Sequence, residues 1–174
     1  MEKSLLILGA GGLGLSAAET AVLMGYEKIA FLDDRYAGKI FHTEAPAYPV
    51  IGNMGDAEKF RMEYGAAVAA IGNNAFRMEM MEKLRSLGFS LPALIHPRAY
   101  VSPFAKVGDG CIVRAMAVIE QRTQLGNGCL INIGALIDHD CEIGEGAHVH
   151  MGCVIRNQQR IAPLSVLSPH QVME

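Results

Sequence analysis

The sequence contains no tryptophan, and aromatic residues fill only 6% of its 174 positions. No run of 18 apolar residues occurs, so we predict no membrane-spanning helix and no membrane partner. The net charge of -3 provides no basic surface for nucleic acid. The four cysteines include no CxxC pair, which argues against a zinc site, and we predict no metal. With 51% hydrophobic residues the chain still predicts a packed core, one made of small and aliphatic side chains.

A six-residue repeat runs through the second half of the chain. From Ile95 to Met173 every sixth residue is aliphatic, at all 14 positions, whereas only 11 of the 65 positions between them are Ile, Leu, Val or Met. A helix repeats every 3.6 residues and a strand every two, so neither explains the period. Stacked coils that bury a continuous aliphatic column do explain it. Glycines recur along these coils at 18-residue intervals and predict tight turns: Gly108, Gly126 and Gly144.

Small residues occupy a second position of the repeat. Four residues after each aliphatic, 11 of 13 positions hold Ala, Cys, Ser or Thr, which suits coil corners that admit only small side chains. All four cysteines fall at this position, so we predict that they are small buried hydrophobes rather than disulfides. A strand-like run, rather than a secretory signal, follows Met1, so we predict a cytoplasmic location, where disulfides are rare.

The first half alternates predicted strands and helices. We predict strands at Ser4–Leu8, Lys28–Leu32 and Ala66–Ile71, and helices from Leu13 to Met24 and from residue 74 to Gly88. Residues 37–49, which include His42, are irregular and predict a surface loop.

A glycine-rich turn follows the first predicted strand, with Gly9, Gly11, Gly12 and Gly14. Such a turn lets backbone N–H groups approach a phosphate at the start of a helix. Asp33 and Asp34 end the second strand, where an acidic residue can bind a ribose hydroxyl. The alternative is a turn that needs glycine only for close packing of helix on strand.

The motifs occur in an order that resembles one family. The segments are LLILGAGGLG, AFLDD, YPVIG, AAIGNN, LIHPRAYVSP and IDHDCEIGEGAHVHMG. They resemble the NeuD/PglD-like sugar acyltransferases over about residues 3–155. The resemblance implies a Rossmann-like, nucleotide-sugar-binding α/β domain at 1–92, followed by a left-handed parallel β-helix of hexapeptide repeats at 93–174. It also implies acetyl transfer from acetyl-CoA to an amine or hydroxyl of a nucleotide-linked sugar, by a homotrimer.

The same resemblance assigns roles to individual residues. His139 in DHDC matches the family's general base and Asp140 its acidic partner, while Asn132 and His148 match polar residues near the site. Histidine suits this role because its imidazole exchanges protons near neutral pH. The remaining residues expected to bind substrate are Gly9, Gly11, Gly12, Gly14, Asp33, Asp34 and Asn73. The alternative for His139 is an exposed corner histidine on a polar turn.

The sequence departs from the family pattern in three ways, of which Leu13 and the end of the chain at Glu174 favour a second reading. Leu13 stands where the family has a polar residue, and Asn73 stands where an acidic one is usual. The chain stops at Glu174, whereas relatives continue for further coils, so we expect a shorter β-helix and a reduced groove for CoA. The alternative function is therefore a catalytically impaired nucleotide-sugar-binding or assembly module of the same fold.

Overall fold

The structure, a computed structural model, describes residues 3–36 and 48–174. The chain divides into two compact units, Met1–Pro92 and Ala93–Glu174. His42 and most of the predicted 37–49 loop lie outside the described residues.

Within its described residues the first unit holds a four-stranded parallel sheet in the order β3-β2-β1-β4. The elements are β1 (Ser4–Leu8), α1 (Gly12–Leu23), β2 (Lys28–Leu32), β3 (Val50–Gly52), a 3₁₀ helix (Met54–Phe60), β4 (Ala66–Ala69) and α2 (Asn74–Ser86). Leu5 to Leu8 are fully buried, because a central parallel strand is covered on both faces. The strand order is that of one half of a Rossmann fold.

The structure differs from the sequence prediction at β3, at the 3₁₀ helix and at β4. Strand β3 and the 3₁₀ helix were not predicted, because three strand residues directly after Pro49 are too few to show any alternation. The strand predicted at 66–71 ends at Ala69. The 3₁₀ helix begins at a reciprocal cap, in which the Asp56 carboxylate accepts the Asn53 N–H at 2.9 Å.

The second unit, which the structure describes completely, is a parallel β-helix with three faces. The first face contains β6 (Tyr100–Val101), β9 (Val118–Ile119), β12 (Leu136–Ile137), β15 (Val154–Ile155) and β18 (Val172–Met173). The second face contains β7 (Lys106–Val107), β10 (Gln124–Leu125), β13 (Glu142–Ile143) and β16 (Arg160–Ile161). The third face contains β5 (Leu94–Ile95), β8 (Ile112–Val113), β11 (Leu130–Ile131), β14 (His148–Val149) and β17 (Val166–Leu167).

The six-residue repeat sets the register of every coil. Each strand ends on an aliphatic residue of the repeat. Strands one coil apart pair so that the partner residues are 18 positions apart, as Ile119 is with Ile137 and Ile137 with Ile155. These aliphatics and the small corner residues form one core. All four cysteines are free and buried in it, as predicted. Burial raises the pKa of the Cys141 and Cys153 thiols, which keeps them neutral.

The turn glycines are required for a different reason from the one predicted. Gly108 and Gly126 do not have positive φ. A Cβ on either would instead lie 2.7 Å from a backbone nitrogen of the next coil, at Asn127 and Glu145 respectively. Positive φ occurs two residues after each of these glycines, at Gly110 and Gly128. It is found at every sixth residue from 110 to 170. Asp140, with φ of 60°, occupies one of these positions.

Candidate active site

His139 and Asp140 lie in the turn between β12 and β13, at the corner where the first face meets the second. The Nδ1 atom of His139 is 2.6 Å from Oδ2 of Asp140. An ionised carboxylate can only accept a hydrogen bond, so Nδ1 carries the hydrogen and Nε2 has a free lone pair. The His139 side chain is 35% exposed, so the ring is open to a reactant from solvent. This geometry suits a general base.

A positively charged side chain from the neighbouring coil binds the Asp140 carboxylate. Arg122, one coil below, donates from Nε to Oδ1 at 2.5 Å and from a terminal nitrogen to Oδ2 at 2.7 Å. The Arg122 guanidinium, and then the His139 ring, hold the pKa of the Asp140 carboxyl well below its ordinary range. Sequence reasoning missed Arg122, although reading 18 residues back from Asp140 finds it.

A buried hydroxyl inside the three-faced β-helix, called the prism below, forms hydrogen bonds with both ends of this turn. Thr123 is fully buried, and its Oγ1 donates to the Asp138 carbonyl at 2.7 Å and accepts the Cys141 N–H at 3.2 Å. The His139 N–H donates to Oδ1 of Asp138 at 2.7 Å. Both ends of the turn that carries His139 are therefore fixed. The sequence showed Thr123 only as one more small corner residue.

Asn132 and His148 belong to a different part of the same prism. His148 lies in β14 of the third face, and Asn132 follows β11 at the corner between the third and first faces. Oδ1 of Asn132 accepts a hydrogen bond from the Arg114 guanidinium at 3.2 Å. The His148 ring stacks on the ring of His150, which directly follows β14, with the ring centroids 3.9 Å apart. His150, which the sequence analysis did not single out, is half-buried against His148. Within one chain these residues do not share a corner with His139.

The four glycines of the glycine-rich turn after β1 divide into two pairs. A Cβ on Gly9 would lie 2.7 Å from the Ala70 carbonyl oxygen, and one on Gly14 would overlap the Gly9 carbonyl oxygen. Gly9 also has φ of 99°, so this pair is required by the fold itself. Among the residues that the structure describes, none comes within 4 Å of a Cβ on Gly12, and a Cβ on Gly11 meets only the Arg35 guanidinium, at 3.8 Å. The open pair begins α1, where no described side chain caps the backbone N–H groups.

The acidic and amide residues expected to bind substrate already hold the surrounding loops. Asp33 is 1% exposed and accepts the Ala10 and Arg35 N–H groups, each at 2.9 Å. Burial by itself would raise the pKa of Asp33, but these hydrogen bonds and the Arg35 guanidinium lower it. Asp34 accepts the Met54 N–H at 2.9 Å, and Asn73 caps α2 by accepting the Phe76 N–H at 2.9 Å.

The described ranges, 3–36 and 48–174, contain no cluster of three or more His, Cys, Asp or Glu side chains arranged to hold a metal ion. None of the helices in those ranges has the length and apolar character needed to cross a membrane.

A Rossmann-like unit followed by a β-helix of six-residue repeats is the architecture expected of the class of acyltransferases that the sequence resembles. A sequence profile of the PglD N-terminal domain matches residues 4–84, and a profile of six bacterial transferase hexapeptide repeats matches residues 122–157. The acetyltransferase domain of PglB from Neisseria gonorrhoeae FA1090 is 32% identical, with a TM-score of 0.87, and the match covers 99% of this chain and 91% of that one.

Two further structures are complexes. The same PglB domain with acetyl coenzyme A is 33% identical, with a TM-score of 0.81 and coverage of 99% of this chain and 93% of that one. PerB from Caulobacter crescentus, with CoA and GDP-perosamine, is 25% identical, with a TM-score of 0.79 and coverage of 98% and 91%. The chain belongs to the NeuD/PglD-like family of sugar acyltransferases. This confirms the family and the fold predicted from the sequence, including the left-handed β-helix.

Proposed function

We propose that this protein transfers an acetyl group from acetyl-CoA to an amine or hydroxyl of a nucleotide-linked sugar, with His139 as general base. The observation that carries the proposal is the contact of Nδ1 with Asp140, which leaves Nε2 as the accessible acceptor of a proton. The PglB domain bound to acetyl coenzyme A and PerB bound to CoA and GDP-perosamine support both substrate classes.

In the proposed reaction His139 removes the proton that the acceptor loses. Acetyl-CoA supplies the acetyl group as a thioester. The acceptor nitrogen or oxygen forms a bond to the thioester carbonyl carbon, and its proton moves to Nε2 of His139. The carbon–sulfur bond then breaks, and the imidazolium returns the proton to the departing sulfur. Asp140 stabilises the imidazolium through the 2.6 Å contact at Nδ1.

We assign the nucleotide to the glycine turn of the first unit. Gly11 and Gly12 leave room for a phosphate next to the uncapped N–H groups of α1. The Arg35 guanidinium beside Gly11 adds a positive charge there. Asp33, Asp34 and Asn73 shape the surrounding loops through the hydrogen bonds described above. Gly9 and Gly14 allow the turn to form.

We further propose that the active form is a homotrimer and that it works in the cytoplasm. Outward-facing apolar side chains run along the first face, with Tyr100, Leu136 and Val172 between 44% and 53% exposed. A neighbouring copy on this face would cover them and could bring Asn132 and His148 of one chain towards His139 of another. Four buried free thiols fit a reducing compartment.

A thiol-release assay tests the proposed function. Acetyl-CoA is incubated with the protein and a panel of UDP- and GDP-linked amino sugars, with the hydroxyl-bearing counterparts as matched acceptors. We expect free thiol to appear only when both donor and acceptor are present. Binding of an acceptor in calorimetry without any thiol release would contradict transfer and support the binding-module alternative.

A further inference from the structure

The coil below the turn that carries His139 and Asp140 contributes a side chain that no sequence motif singles out. We propose that Arg122 is a positioning residue for the transfer reaction, which orients the Asp140 carboxylate towards Nδ1 of His139 and offsets its charge. This inference rests on the proposed function of His139 and extends it to a second coil of the β-helix.

The geometry of the pair carries the proposal. Arg122 meets Asp140 with two parallel N–H to oxygen bonds, at 2.5 and 2.7 Å, which is the bidentate arrangement that fixes the plane of a carboxylate. Asp140 Oδ2 accepts from both Arg122 and His139, so the three side chains form one chain of hydrogen bonds. A rotated Asp140 would lose two bonds to Arg122 together with the one to the imidazole. Arg122 therefore helps to orient the His139 ring through the Asp140 carboxylate.

The backbone places these two residues in register. Arg122 and Asp140 are 18 residues apart, and both have positive φ, of 59° and 60°. The Asp140 N–H donates to the Gln121 carbonyl at 3.1 Å, which fixes one turn on top of the other. Positive φ is costly for a residue with a Cβ, by about 1 kcal/mol or more. The same positive φ recurs at this position of the repeat in glycine and non-glycine residues alike, so it belongs to the turn geometry that stacks Arg122 under Asp140.

The charges around His139 determine the expected effect of removing Arg122. The His139 ring faces two carboxylates of its own turn. Oδ1 of Asp138 lies 3.9 Å from Nε2, and Oδ2 of Asp140 lies 2.6 Å from Nδ1. The coil above contributes uncharged residues, Asn157 and Gln158. The other charged side chains that line the adjoining grooves are Lys106, Glu120, Glu142 and Arg156.

Arg122 is thus the cation in direct contact with the Asp140 carboxylate that faces the ring. Without it, the two carboxylates of the turn favour the protonated imidazole more strongly. The base then becomes free only at higher pH. In a wet site, the loss of a unit charge on the far side of that carboxylate is expected to change a titration midpoint by about 0.5 unit.

The experiment compares Arg122→Gln and Arg122→Lys with a matched control. Arg160→Gln removes another ion pair between residues 18 positions apart in the same β-helix, that of Arg160 with Glu142 at 3.2 Å. For each variant, kcat and KM for both substrates are measured by thiol release from about pH 5 to 9, and melting temperatures are recorded.

We expect Arg122→Gln to lower kcat about tenfold, to leave both KM values within about twofold, and to move the acidic limb of kcat/KM up by about 0.5 unit. Arg122→Lys keeps the charge but not the two-pronged contact, so its acidic limb stays in place while kcat falls by a smaller factor. Arg160→Gln should match the wild type. A kcat and acidic limb of Arg122→Gln equal to those of Arg160→Gln would overturn the proposal.

Failure of the proposed function gives a different result from failure of this inference. If the wild-type protein releases no thiol with any acceptor, the transfer reaction is wrong. The His139 ring can then still be titrated by NMR in the wild type and in Arg122→Gln. A higher titration midpoint in Arg122→Gln supports the coupling of Arg122 to His139, whereas equal midpoints overturn it.

Discussion

At the scale of single residues, the chemistry of His139 depends on what its neighbours leave free. Asp140 occupies Nδ1 and Thr123 fixes both ends of the turn, so Nε2 is the nitrogen presented outward. The DHDC motif was sufficient to predict His139 and Asp140 as a pair, and the structure places their side chains in contact. Arg122 and Thr123 could not be found from local sequence, because their contacts depend on which residues stack one coil apart.

Asp140→Asn tests the ion pair through the pH dependence of stability. The folded pKa of Asp140 is lower than its unfolded value of about 4, so the carboxylate contributes stability above that value. This contribution is lost as the pH falls through the lower folded value. We therefore expect the stability gap between wild type and Asp140→Asn to be largest above about pH 4 and to narrow below it. Urea unfolding at a series of pH values measures the gap, and a constant gap would contradict the ion pair.

At the scale of elements, periodicity made the β-helix predictable and the absence of periodicity hid β3. A strand of two residues has no pattern of its own, yet the column of aliphatics ending at Ile137 and its equivalents fixes where each strand falls. Strand β3 has three residues and no repeat to support it. The glycine turn was located from the sequence, but its division into packing and open glycines depends on distances to Ala70 and to Gly9.

The glycine turn yields a paired prediction. Gly14→Ala should lower the free energy of unfolding by about 2 kcal/mol or more, because its Cβ would overlap the Gly9 carbonyl. Gly12→Ala has open space and should leave stability unchanged or slightly raised, since alanine favours a helix more than glycine does. Its methyl group would still obstruct a bound phosphate, so we expect about tenfold weaker binding of UDP or GDP.

Urea unfolding and calorimetry measure the two effects separately. Unchanged nucleotide affinity in Gly12→Ala would place the nucleotide elsewhere. Wild-type stability in Gly14→Ala would show that the close approach of Gly14 to Gly9 is not required by the fold.

At the scale of the whole molecule, the β-helix separates residues that the family motif groups together. His139 lies at the corner between the first and second faces, whereas Asn132 lies at the corner between the third and first. The sequence suggested a single site, because motif residues are read along the chain and not around the prism. A trimer resolves the separation if neighbouring copies meet at the first face.

Leu136→Arg tests the proposed assembly. Leu136 is 44% exposed on the first face, and an arginine there would leave an unpaired charge in the interface. We expect light scattering to give three chains for the wild type and fewer for Leu136→Arg, with transfer activity lost in parallel. Gln124→Arg, on the exposed second face, is the matched control and should remain trimeric. A wild-type protein that runs as a monomer would contradict the shared site.

The most direct test of the whole account is the rate of thiol release by His139→Ala at a fixed pH near 7.5, with acetyl-CoA and the acceptor that the wild type uses. Loss of the base should lower kcat by at least about 100-fold, while calorimetry gives the same affinity for the nucleotide-linked sugar. A variant that transfers acetyl groups as fast as the wild type would show that another group removes the proton.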